Sequence, residues 1–126
     1  MIALFGLVLT KGIAYGEDRV LYGVASWYGG GEKLNKYTAS GEVFNPNDHT
    51  CAIWEFPFGT ILKVTNLRNG KSVIVRVNDR GPAKRLGRLI DLTRKAFSEI
   101  EDLRRGLCEV KIEIIYEPRR KIKKRH

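Results

Sequence analysis

The chain has 126 residues, of which 43% are hydrophobic and 29% charged, with a formal net charge of +9. That length holds one domain with a core of its own. Its cysteines and histidines fall at no metal-ligand spacing, and no glycine-rich loop leads into a helix starting with Lys-Ser/Thr, so neither a metal nor a cofactor is expected.

Residues 1–16 read as a segment apart. Ile2 to Leu9 is apolar, Lys11 interrupts its end, and Ala14-Tyr15-Gly16 has the small-x-small form of a secretory cleavage site, although no basic residue precedes the run. The run is too short to span a bilayer, and no cysteine follows it to carry a lipid anchor. These features predict an exported, soluble, monomeric protein, periplasmic or extracellular, whose domain covers 17–116. The other reading makes the run the apolar first strand of a cytosolic barrel.

Arg19 to Tyr28 is rich in strand formers, and Gly29-Gly30-Gly31 ends it. Thr60–Leu67 and Ser72–Asn78 flank Arg68-Asn69-Gly70-Lys71, and Asn-Gly between two apolar-patterned runs predicts a hairpin. Thr93 is placed to cap a short helix whose Ala96, Phe97, Ile100 and Leu103 share a face and which Gly106 ends. Val110, Ile112 and Ile114 alternate with Lys111 and Glu113 in a last strand. Many short strands with one small helix predict a closed, mostly β barrel, because closure removes exposed sheet edges.

After Pro118 the chain turns basic. Arg119, Arg120, Lys121, Lys123, Lys124 and Arg125 stand against Glu117, so residues 117–126 read as a solvated, disordered tail. Such a tail is attracted to polyanions, which keeps a nucleic-acid-binding or phosphate-binding barrel in view, but no specific nucleic acid is expected. Cys51 and Cys108 either bridge, in an oxidising compartment, or stand as two buried thiols.

The chemistry concentrates at Ser72-Val73-Ile74-Val75-Arg76-Val77-Asn78-Asp79-Arg80-Gly81-Pro82 and at Ile90-Asp91-Leu92. Asp79 continues the period-two phase of Val73, Val75 and Val77, which sends a carboxylate towards the apolar side just before the strand breaks. A carboxyl group so placed is suited to act as a general acid, the competing role being a structural acceptor that fixes the turn before Gly81-Pro82, paired with Arg76 or Arg80. Asp91 reads as structural, holding backbone amides at the start of the helix from Thr93. Trp27, Tyr28 and Trp54 offer flat rings that can stack on sugars, although core packing is the competing role for Trp27.

Together with Gly23-Val24-Ala25-Ser26-Trp27-Tyr28-Gly29, Thr38-Ala39-Ser40-Gly41-Glu42, Pro57-Phe58-Gly59-Thr60 and Val64-Thr65-Asn66-Leu67, these motifs resemble the rare lipoprotein A (RlpA) family in one order from about Gly23 to Ile115. The resemblance implies a six-stranded double-psi β-barrel with one short helix. It further implies endolytic lytic transglycosylation of peptidoglycan glycan strands poor in stem peptides, leaving 1,6-anhydro ends. Carried over residue by residue, Asp79 is the general acid and base and Glu42 a second carboxylate in the groove. Trp27, Tyr28, Arg76, Arg80 and Trp54 would contact the glycan. The pattern departs at Thr50-Cys51-Ala52-Ile53, where active members typically carry a histidine at the position of Ile53. That departure supports the alternative of a barrel that binds polysaccharide without cutting it.

Overall fold

The computed structural model describes residues 20–31 and 35–118. It contains strands β1 (Val20–Tyr28), β2 (Thr50–Ala52), β3 (Ile61–Asn66), β4 (Ser72–Asp79), β5 (Ile90–Thr93) and β6 (Leu107–Tyr116), with one short helix, α1 (Arg94–Ser98). The apolar run Ile2–Leu9, the sequence Ala14-Tyr15-Gly16 and the basic residues from Arg119 onward lie outside the described residues.

Strand formation follows the alternation in the sequence. On β3, Leu62, Val64 and Asn66 are buried while Ile61, Lys63 and Thr65 are half-buried. On β4, Val73, Val75 and Val77 are buried and face them. The turn between the two strands is exposed, and Gly70 adopts φ 78°, a left-handed conformation that suits glycine. Around the barrel the order is β1-β5-β2-β4-β3-β6 and back to β1. The pairs β1/β5 and β2/β4 are parallel, and the remaining four are antiparallel. This is a closed six-stranded mixed barrel of the double-psi type.

Leu62, Val64, Val77, Ile90, Leu92, Val110 and Ile112 fill the interior with no solvent exposure. Each such side chain contributes on the order of 1.5–3 kcal/mol from burial. Helix α1 adds Ala96 and Phe97, with Ile100 just beyond it. Its cap is the expected one, since the Thr93 side chain accepts a hydrogen bond from the amide of Ala96. The helix is shorter than its periodicity predicts. It stops at Ser98, and Leu103 belongs to a separate 3-10 turn, Leu103–Arg105, which Gly106 closes. Asp102 caps that turn through the amide of Arg104 and so starts a new element where one helix is expected.

At the end of the barrel away from Asp79, buried Asn66 and Glu101 form a polar knot. Asn66 donates to the carbonyl of Ile100 (2.8 Å) and to Glu101 (3.2 Å), and Arg68 closes on Glu101 at 2.7 Å. Arg68, then the amide of Asp102, holds the Glu101 carboxyl down at about 2. Cys51 on β2 and Cys108 on β6 are buried free thiols on strands that are not neighbours, so they do not bridge. Burial pushes the Cys108 thiol up to about 11, and that of Cys51 higher still.

Candidate active site

Tyr28, Ala52 and Asp79 are the last residues of β1, β2 and β4. Their ends surround a cavity of about 450 Å³, lined also by Asp91, Arg80 and a loop carrying Asn35, Tyr37, Thr38, Ala39 and Phe44. Lateral pairing explains the arrangement. Asp79 pairs with Ala52, Ala52 with Asp91, and Asp91 with Ser26, a row across four strands. At roughly 4.8 Å per strand, the two aspartates stand about 10 Å apart at the backbone. The small Ala52 lies between them and forms the floor.

Asp79 reaches this cavity by a different route from the one the alternation predicts. The ladder between β2 and β4 slips, pairing Cys51 with Val77 but Ala52 with Asp79. That bulge takes up Asn78, which is buried at 3% exposure, and leaves Asp79 half-buried at the rim. The period-two phase therefore ends at Val77. Asp79 Oδ1 accepts the amide of Ala39 (2.8 Å) and that of Arg80 (2.9 Å). Neither guanidinium of Arg76 or Arg80 supplies these bonds. Since both fall on Oδ1, Oδ2 is the oxygen suited to exchange a proton.

The turn Thr38-Ala39-Ser40-Gly41-Glu42 docks onto the end of β4. Besides the Ala39 amide on Asp79, the amide of Ser40 donates to the carbonyl of Asn78 at 3.2 Å. Glu42 accepts from Arg76 Nη1 (2.7 Å) and from Asn78 Nδ2 (3.0 Å). Those two bonds, Arg76 first, hold its carboxyl below the usual range. Glu42 and Arg76 thus form an exposed clasp outside the cavity lining, and neither the groove position expected of Glu42 nor the glycan contact expected of Arg76 is what the geometry favours.

Arg80 does line the cavity. Its Nη1 donates to the carbonyls of Ile53 (2.8 Å) and Phe56 (2.9 Å), and its guanidinium lies 4.0 Å over the Phe58 ring. Trp54, 46% exposed, is fixed by its indole N–H to the carbonyl of Pro82 at 2.8 Å. Trp54 and Phe58 are thus exposed rings held beside the cleft wall.

Trp27 takes the core-packing role that competed with sugar stacking. Its indole N–H donates to the carbonyl of Leu103 (3.0 Å) and its ring packs towards Phe97, on the opposite side of β1 from Tyr28. Ile53 is fully buried in the core, so its side chain does not stand beside the groove.

Asp91, expected to serve the helix start, lines the cavity and accepts the hydroxyl of Ser26. Thr93 caps the helix instead. The signal for Asp91 was its place between Ile90 and Leu92, which turn into the core and leave it the other face. Gly81 borders this region with φ 151°, a backbone conformation that residues with a side chain rarely adopt; a Cβ built there would make ordinary contact with Ala52 Cβ at 3.6 Å and Asp91 Oδ2 at 3.7 Å. Tyr37 and Phe44, from the docked loop, carried no signal of their own in the sequence.

Comparison with known proteins bears on this geometry. The lytic transglycolase family profile matches residues 21–112. A probable endolytic peptidoglycan transglycosylase RlpA of Nostoc sp. is 48% identical over 94 residues, covering 74% of this chain and 25% of that protein. The endolytic peptidoglycan transglycosylase RlpA of Campylobacter jejuni is 48% identical over 93 residues, covering 74% of this chain and 33% of its own. That of Rickettsia bellii is 48% identical over 96 residues, covering 75% and 42%. The chain thus spans between 25% and 42% of the length of these relatives. Among solved structures, the Streptomyces papain inhibitor superposes with a TM-score of 0.62 at 23% identity, covering 78% of this chain and 96% of its own. A Clavibacter michiganensis expansin variant in complex with cellohexaose gives 0.61 at 20%, covering 81% and 53%. At such identities the two structures show the shared fold.

Proposed function

The chain belongs to the RlpA-like lytic transglycolase family, and from that premise we propose that it cleaves peptidoglycan glycan strands endolytically, leaving 1,6-anhydro ends. The observation that carries the reading is Asp79, anchored through Oδ1 at the rim of a cleft whose far wall holds a second carboxylate, Asp91.

Cleavage of a glycosidic bond needs a proton on the leaving oxygen while positive charge grows at the sugar carbon. Asp79 gives that proton from Oδ2. The ionised Asp79 then takes the proton of the sugar's own 6-hydroxyl, whose oxygen closes on the anomeric carbon. The bond to the leaving sugar breaks, a 1,6-anhydro ring forms, and no water is consumed. Asp91 faces the same space, where its negative charge stabilises the cationic sugar. Glu42, through Arg76 and Asn78, holds the end of β4 and so positions Asp79. Trp54 and Arg80 with Phe58 extend the wall along which further sugar rings lie.

The substrate class follows from the family and agrees with an expansin of this fold having been solved with cellohexaose. Among the described residues no helix is long and apolar enough to cross a membrane. We place the protein in the periplasm or cell wall, where its substrate lies.

A second reading rests on Ile53. It carries no proton and lies in the core, so a barrel that only binds glycan is the alternative. Incubating the chain and its Asp79→Asn variant with peptide-free strands separates the two. Cleavage that the variant loses while binding is kept supports the enzyme, whereas binding without cleavage in both supports the binding module.

A further inference from the structure

Tyr28 was expected to offer a ring face. In the structure its ring is packed against Phe44, with centroids 4.9 Å apart and planes at 44°. Its hydroxyl lies within reach of the charges of Asp79 and Asp91, the two carboxylates of the cavity lining. This oxygen is buried and forms no well-made hydrogen bond; the Asp79 carboxylate beside it supplies a weak one at most. A buried hydroxyl left without a well-made hydrogen bond costs up to about 1–3 kcal/mol. Such a cost is understandable at a position kept for a ligand.

We infer that the Tyr28 hydroxyl is a substrate-binding donor, giving its hydrogen bond to a sugar oxygen that enters the cavity between Asp79 and Asp91. The inference rests on the glycan reading above and assigns a further substrate-contacting residue to that site. Three observations converge on it. Tyr28 belongs to the cavity lining together with Asp79 and Asp91. Phe44 fixes the ring, so the donor is held in place before substrate arrives. Burial first, then the charges of Asp79, Cys51 and Asp91, push the Tyr28 pKa well above its ordinary value. The group therefore keeps its proton at every working pH and acts as a donor to incoming oxygen.

Tyr28→Phe removes the oxygen and keeps the ring. In the full chain the expected results are an unchanged or higher Tm, because the variant loses a hydrogen-bonding group that the free protein leaves unsatisfied, and a kcat/KM on peptide-free glycan strands lower by about tenfold. That factor should be constant from pH 5 to 8. Binding of the same strands, measured by calorimetry, should weaken together with turnover. A Tm lowered by several degrees, with turnover and binding intact, would make the hydroxyl structural and overturn the inference. A factor that changes with pH would also overturn it, because the hydroxyl would then act through the titration of Asp79. If the parent chain binds strands without cutting them, the enzymatic reading fails alone, and weaker binding by Tyr28→Phe still supports the inference. Equal binding by parent and variant, or no binding by either, overturns it.

Discussion

Replacing Asp79 separates its chemistry from its anchoring. Oδ1 takes two backbone amides, from Ala39 at 2.8 Å and Arg80 at 2.9 Å. Asp79→Asn keeps an oxygen in that place, so both bonds persist in weaker, neutral form, at a cost of about 1 kcal/mol or less. Asp79→Ala leaves both amides without this acceptor and frees one anchor of the turn from Thr38 to Glu42. At about 0.5–1.5 kcal/mol for each bond, the loss comes to roughly 1–3 kcal/mol. For a barrel of this size that lowers Tm by roughly 5–15 °C, against a few degrees for the asparagine. Both variants lose the proton carrier, so cleavage should fall at least about 100-fold in each. Thermal unfolding and product release, measured on the same samples, read the two effects apart. An Asp79→Asn protein that cleaves at the parental rate would show that Asp79 only anchors the turn. An Asp79→Ala protein as stable as the asparagine variant would refute the anchoring argument.

Stability in acid should follow Glu101. Its carboxyl is held at about 2 by Arg68, the amide of Asp102 and Asn66, whereas an unfolded glutamate titrates near about 4.3. The stabilisation is thus complete above that value and is lost as pH falls towards 2. Glu101→Gln should lower Tm at neutral pH and flatten its dependence between about pH 4.5 and 2, measured by scanning calorimetry. Trp54→Ala should weaken glycan binding about three- to tenfold, as expected for one lost aromatic contact, with kcat nearly unchanged. A kcat that falls with affinity unchanged would remove Trp54 from the role of platform.

Much of the barrel was legible because its strands obey simple alternation. The hairpin from Ile61 to Asp79 is an example, with its valines buried and its Asn-Gly turn exposed. Legibility ended where pairing between distant strands overrode local pattern. The bulge that buries Asn78 and turns Asp79 to the rim depends on β2, more than twenty residues earlier, and nothing within Val73–Asp79 announces it. Asp91 joined the site because β5 lies between β1 and β2 in the barrel, a neighbourhood that sequence order hides. The helix was overextended because Ala96, Phe97, Ile100 and Leu103 do share one apolar face, while Asp102 begins a new turn between them. Trp27 and Tyr28, adjacent in sequence, go to opposite sides of one strand, so one joins the core and the other the cleft. The turn Thr38–Glu42 was visible as a motif, but its work became clear only when its amides were seen on Asp79 and Asn78.

Internal attack of a sugar hydroxyl in this cleft fixes the chemical form of the cut ends. Mass spectrometry of peptide-free glycan strands incubated with the chain tests it directly. The strands should be shortened and end in 1,6-anhydro sugars, with no water incorporated when the reaction is run in oxygen-18 water. Strands that remain intact, or fragments whose new reducing ends carry oxygen-18, would contradict it.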